Sequence, residues 1–104
     1  MHPLVTLQSE VQRLTKYLEA DPQNPQLYIQ RGMVSFKLGE ITPAIADFDR
    51  AEHLNPALTP SLWQRGIAYY YAGRFEDGAR QFEIDLTVNG HDVGALHKQH
   101  DTKE

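Results

Sequence analysis

Apolar residues recur along this chain at steps of three and four, the spacing that lines one face of an α-helix. From Pro3 to Ala20 the stripe is Leu4, Leu7, Val11, Leu14 and Leu18. Asp21-Pro22 ends it, because a proline disfavours helical geometry in the residue before it. After Asn24-Pro25, the segment from Gln26 to Leu38 is apolar on more than one face (Leu27, Tyr28, Ile29, Met33, Val34, Phe36, Leu38), which suits a helix touched from two sides. Gly39 is a left-handed stop. Thr42-Pro43 offers a capping hydroxyl and a first-turn proline for a helix from Pro43 to Leu54, with Ala44, Ile45, Phe48, Ala51 and Leu54 inward. Asn55-Pro56 closes that helix. Thr59-Pro60 repeats the start signal for a helix from Pro60 to Ala72, Gly73 ends it, and Glu76 to Val88 forms the antiparallel partner. The expected class is all-α.

The pattern is also written nearly twice at an offset of 34 residues. Arg31-Gly32 falls on Arg65-Gly66, Leu38-Gly39 beside Ala72-Gly73, and Ala44-x3-Phe48 on Gly78-x3-Phe82. Repeats of this length signal a helical solenoid, whose units bury their apolar faces only by stacking. Pro22 lies one period before Pro56, so the helix of residues 3–21 takes the second-helix slot of an incomplete earlier unit and caps the stack. Residues 25–56 and 59–90 are the two full units. Residues 91–104 are expected to form a short helix beginning near Asp92, held by Val93 and Leu96, and to fray from Lys98 onward.

Composition narrows the functional classes. The 104 residues suit one domain, and 40% apolar with 23% charged residues is ordinary for a globular chain. Ten basic and 14 acidic residues give a formal charge of −4, which opposes non-specific attraction to nucleic acid or anionic lipid. With no cysteine, thiolate chemistry and Cys-ligated metals drop out. The start has no secretory pattern and no stretch is long and apolar enough to span a membrane, so a cytoplasmic location is the default reading. No nucleophile elbow, Walker loop or dinucleotide fingerprint occurs, and Glu40, Glu52 and Glu76 read as exposed carboxylates, so neither enzyme activity nor a cofactor is expected.

The paired motifs Tyr28-x2-Arg31-Gly32…Ala44-x3-Phe48…Pro56 and Leu62-x2-Arg65-Gly66-x2-Tyr69…Gly78-x3-Phe82 resemble the tetratricopeptide repeat family. The resemblance implies a right-handed α-α superhelix and a non-enzymatic protein-interaction scaffold, with an extended peptide or partner helix held in a concave groove lined by the first helix of each repeat. Carried over slot by slot, the groove comprises Gln26, Ile29, Gln30, Met33, Phe36 and Lys37 from the first repeat, with Trp63, Gln64, Ile67, Tyr70 and Tyr71 from the second. Members that grip a peptide carboxylate carry lysine and asparagine where Ile29 and Met33 stand here, so an apolar ligand is expected. A homodimer burying the groove, or the C-terminal edge around Phe82, Leu86 and Val88, is the alternative.

Several residues depart from the family pattern. Arg31 and Arg65 occupy slots where leucine is common, and a buried arginine needs an anionic partner, so Asp47 is expected to pair with Arg31, Arg65 or both. Asp85 stands in the slot of Ala51. In the tail, His97, His100 and Asp101 share helical spacing that permits a divalent metal, although no recognised metal motif is present.

Overall fold

The computed structural model describes residues 3–89. The expected short helix of residues 91–104, with His97, His100 and Asp101, lies outside the described residues. Five α-helices are described: α1 (Pro3–Ala20), α2 (Pro25–Lys37), α3 (Ile41–Leu54), α4 (Trp63–Tyr71) and α5 (Phe75–Asn89), with a 3₁₀ helix (Pro56–Ser61) between α3 and α4. No strand occurs among the described residues. Each helix packs on the next, α2 on α3 and α4 on α5 as hairpins, with α1 against α2.

The turns explain these boundaries. Asn24 caps α2 by accepting from the Gln26 N–H at 3.0 Å, and Pro25 occupies the first helical position, where an N–H has no helical partner. At the end of α2, the Gly39 N–H donates to the Phe36 carbonyl and the Glu40 N–H to that of Ser35, both at 2.9 Å. The second repeat copies this closure through Gly73 and Arg74 onto Tyr70 and Tyr69. These paired bonds satisfy carbonyls that a helix end leaves open, and they require the left-handed backbone that Gly39 (φ 82°) and Gly73 (φ 78°) adopt.

Two helix starts differ from expectation. α3 begins at Ile41, ahead of Thr42-Pro43, and Glu40 precedes it without a side-chain cap. The two-bond closure at Gly39 and Glu40 has already turned the chain, so helical geometry resumes at once. The helix expected from Pro60 begins instead at Trp63. Asn55 accepts from the Ala57 N–H at 3.2 Å and launches the 3₁₀ helix directly after α3, which leaves Pro60 inside that helix. Thr59 does not cap α4. Its hydroxyl donates to Glu52 Oε2 at 2.7 Å.

The core follows the 34-residue period. Leu14 and Leu18 of α1, Ala44, Ile45, Phe48 and Ala51 of α3, and Leu62, Ala68 and Tyr69 around α4 are buried. Phe48 fills the space between repeats with Leu62 and Ala44, against which Ile29, Met33 and Phe36 pack. Helices within each repeat cross closely at small residues. A Cβ on Gly78 would lie 2.9 Å from the Tyr70 ring and 3.0 Å from the Gly66 carbonyl oxygen, tighter than real Cβ contacts.

Gly78→Ala therefore sets overpacking of about 1–3 kcal/mol against the roughly 1 kcal/mol that alanine gains over glycine in a helix. The crossing should win, with a net loss of up to about 2 kcal/mol, because the backbone carbonyl cannot swing aside. A urea midpoint equal to or above that of the parent chain would contradict this balance.

Candidate partner-binding surface

Arg65 sits three residues after Leu62, so the first turn of α4 carries both to the junction with α3 and α5. It is buried. Nε and Nη2 donate to Gln81 Oε1 at 3.0 and 2.7 Å, Nη1 donates to Asp49 Oδ1 and Glu52 Oε1 at 2.9 and 3.1 Å, and Nη2 also reaches Glu52 Oε2 at 2.9 Å. Five contacts occupy the five donors of the guanidinium. The Arg65 hydrogen bond holds the Glu52 carboxyl below its ordinary value, against the opposing effect of burial. Gln81 passes the network on, donating through Nε2 to the Thr59 carbonyl at 2.8 Å and to Asp85 Oδ1 at 3.0 Å. Asp85 Oδ2 is buried with no hydrogen-bond partner among the described residues, and burial pushes the Asp85 carboxyl up.

The first repeat solves the same problem differently. Arg31 makes a fork on Asp47, Nε to Oδ2 at 2.9 Å and Nη2 to Oδ1 at 2.8 Å, while Nη1 reaches Thr15 of α1 at 3.2 Å. Of the expected ion-pair residues, Asp47 thus meets Arg31, whereas Arg65 turns to Asp49 and Glu52. Glu52, expected to be exposed, is half-buried by this contact. The signal that finds these partners is the repeat itself: Asp49 lies 34 residues after Thr15, and Gln81 lies 34 after Asp47. Each arginine therefore touches the second helix of its own repeat and the second helix of the unit before it.

The expected groove residues take different positions, with Gln26 and Gln30 exposed. Ile29, Met33 and Phe36 are half-buried against the Phe48 core. Trp63 and Tyr71 of α4 stand out from it, 51% and 72% exposed, and Phe36 meets Tyr71 edge to face with centroids 5.5 Å apart. Gln64 and Ile67 are half-buried and Lys37 is exposed. Tyr70 departs from the group. Its ring stacks on Phe82 and tilts against Phe75, both at 5.8 Å, so it leans on α5 at the C-terminal edge.

The 34-residue period and the paired helical units place the chain beside known proteins. It is 33% identical to human tetratricopeptide repeat protein 28 over 69 residues, 66% of this chain and 3% of that protein. The chain belongs to the tetratricopeptide repeat family. It is also 32% identical to the human SGT1 homolog over 91 residues, covering 84% of this chain and 25% of that protein, and 32% identical to human RNA polymerase II-associated protein 3 over 84 residues, covering 81% and 13%. The chain spans a quarter or less of the length of these curated relatives. No family model matches it. Among tetratricopeptide repeat proteins the general role is protein interaction, and this chain is an interaction module in that general sense. None of the described helices is long and apolar enough to cross a membrane.

Arg65→Met removes the cation that α3 and α5 share. The guanidinium is buried but Glu52 and Asp49 are 35% and 51% exposed at the side chain, so water recovers part of what they lose. The expected cost, about 1–3 kcal/mol at neutral pH, lies between that of surface and buried pairs. Because the Glu52 pKa is depressed in the folded state, its contribution is present above the ordinary carboxylate value of 4.5 and fades as pH falls through the lower folded value. Chemical denaturation from pH 7 to pH 3 should show a shallower acid-side loss in Arg65→Met than in the parent; equal slopes would remove Glu52 from the account.

Proposed function

We propose that the chain holds an apolar peptide or helix on the concave face made by α2 and α4. The observation that carries this reading is Trp63, the single tryptophan of the chain, half in water beside the still more exposed Tyr71. Large aromatics that remain open over a packed apolar floor mark interfaces, because they bury much area while one polar atom keeps a hydrogen bond. Ile67 continues the floor between them, and Lys37 and Gln64 supply polar points at the rim. Ile29 and Met33 leave no ammonium to grip a terminal carboxylate, which favours an internal apolar segment as ligand. By its name, one relative is a protein that associates with RNA polymerase II, which accords with an interaction role for the shared repeats. A homodimer that buries the same face is the second reading, and light scattering across a concentration range separates the two.

Trp63 is also its own reporter. A panel of synthetic apolar peptides, extended and helix-forming, titrated into the full chain should yield at least one saturable blue shift of Trp63 emission. Ile67→Glu should weaken that peptide about tenfold or more, roughly 1.4 kcal/mol. Peptide binding that leaves Trp63 emission and the Ile67→Glu variant unmoved, or no binding across the panel, would overturn the concave-face assignment.

A further inference from the structure

The two repeats are copies, so the first records what a neighbour does to the second helix of a unit. On α3, Ile45 and Phe48 are buried with Ala68, Tyr69 and Leu62 of the next repeat, Ala51 is buried as well, and Leu54 is half-buried. The residues 34 positions on are all more open: Ala79 is exposed, Phe82 and Asp85 are half-buried, and Val88 is 58% exposed. Leu86, which follows Glu52 by one period, is 53% exposed. The outer face of a solenoid that meets water is normally polar. This one keeps Phe82, Leu86 and Val88 in the footprint that a stacked helix covers on α3.

Charge identifies what fits there. On α3 the neighbour's Arg65 binds Asp49. The corresponding position on α5 is Glu83, exposed and again an acid. Two residues on, Asp85 replaces the apolar Ala51 and holds a carboxylate oxygen without a hydrogen-bond partner among the described residues. A face of this kind accepts a helix that brings a cation as well as apolar area. The internal example is α4, which seats Leu62 in the core and Arg65 one turn later on the acids.

We propose that the C-terminal edge, formed by Phe82, Glu83, Asp85, Leu86 and Val88, docks an amphipathic helix of a partner protein that carries an apolar residue followed three positions later by arginine. A second copy of this chain is the poorer fit. Arg31 and Arg65 are already engaged, and Arg13, Arg50 and Arg80 follow Glu10, Asp47 and Asp77 at that spacing, while Arg74, three after Tyr71, lies past the end of α4 and donates to Asp77. The chain's own segment after α5 is also a poorer fit, since Leu96 falls in the Leu62 slot but Gln99 stands where the arginine is needed. This edge is distinct from the concave face, and neither assignment depends on the other.

The probe is a capped synthetic peptide of residues 59–73, which carries the Leu62 and Arg65 spacing, added to the full chain labelled for NMR. Saturable shifts centred on Leu86 and Val88 are expected. Replacing Arg65 by Glu in the peptide should weaken binding about tenfold, Glu83→Lys in the protein should do likewise, and combining the two should restore most of the loss. Glu83, Leu86 and Val88 are exposed, so Glu83→Lys and Leu86→Asp should fold, as checked by circular dichroism. Shifts confined to α1, α2 or α4, or affinity indifferent to both charge changes, would overturn the proposal. So would self-association without peptide that Leu86→Asp abolishes, which would give the face to a second copy. Failure of the peptide to bind the full chain would also overturn it.

Discussion

One guanidinium joins the two repeats. Arg65 starts on α4, yet its charge is balanced from α3, by Asp49 and Glu52, while its own repeat contributes only the neutral Gln81. In the first repeat the arrangement is reversed: the charge of Arg31 is met by Asp47 of the same repeat, and α1 answers with the hydroxyl of Thr15. Moving the acid from one helix to the other turns a bond within a unit into a bond between units. The junction of repeats one and two is therefore ionic and apolar together, since Leu62 and Phe48 pack there as well. The junction of the cap with repeat one rests mainly on Leu14 and Leu18 of α1, with Tyr28 tied to the Pro22 carbonyl at 3.1 Å.

The same region sets where α4 begins. The 3₁₀ helix takes up Pro56–Ser61 and delays α4 until Trp63, so Trp63 is the first residue of the helix. Thr59 is held by Glu52 and Gln81 on either side, and Ser61 donates to the Leu58 carbonyl at 2.7 Å. The turn that precedes this tryptophan is held by Glu52, one of the two acids that neutralise Arg65. The start of α4 and the ion network are thus coupled through Glu52 and Thr59.

Legibility in the sequence followed how uniquely each residue type solves its local problem. Gly39 and Gly73 were readable because a left-handed residue after a helix is nearly always glycine or asparagine. Thr-Pro was not, because Asn55-Pro56 had already supplied a capping side chain and a first proline, and Thr59 served the acid network instead. Pairing of the arginines was readable as a need but only partly as a partner. Successive helical residues are about 100° apart, so Asp47 and Asp49 lie on nearly opposite sides of α3, and the rotation of that helix decides which arginine each one meets. The run Tyr69-Tyr70-Tyr71 divides in the same way: Tyr69 goes inward beneath Arg74 at 4.5 Å, Tyr70 onto Phe82, and Tyr71 onto Phe36. Periodicity shows that a helix is amphipathic; three consecutive aromatics leave its azimuth open.

The arginine contacts also give the stack a direction. Every unit carries its cation on the first helix and its acceptors on the second, so order along the solenoid is polar in the sense that a chain of hooks and eyes is polar. Two like ends brought together would set Glu83 and Asp85 against their own copies, whereas head-to-tail contact sets cation against acid. Growth, capping and recognition at this edge are thereby biased toward one orientation, without any change in its apolar area.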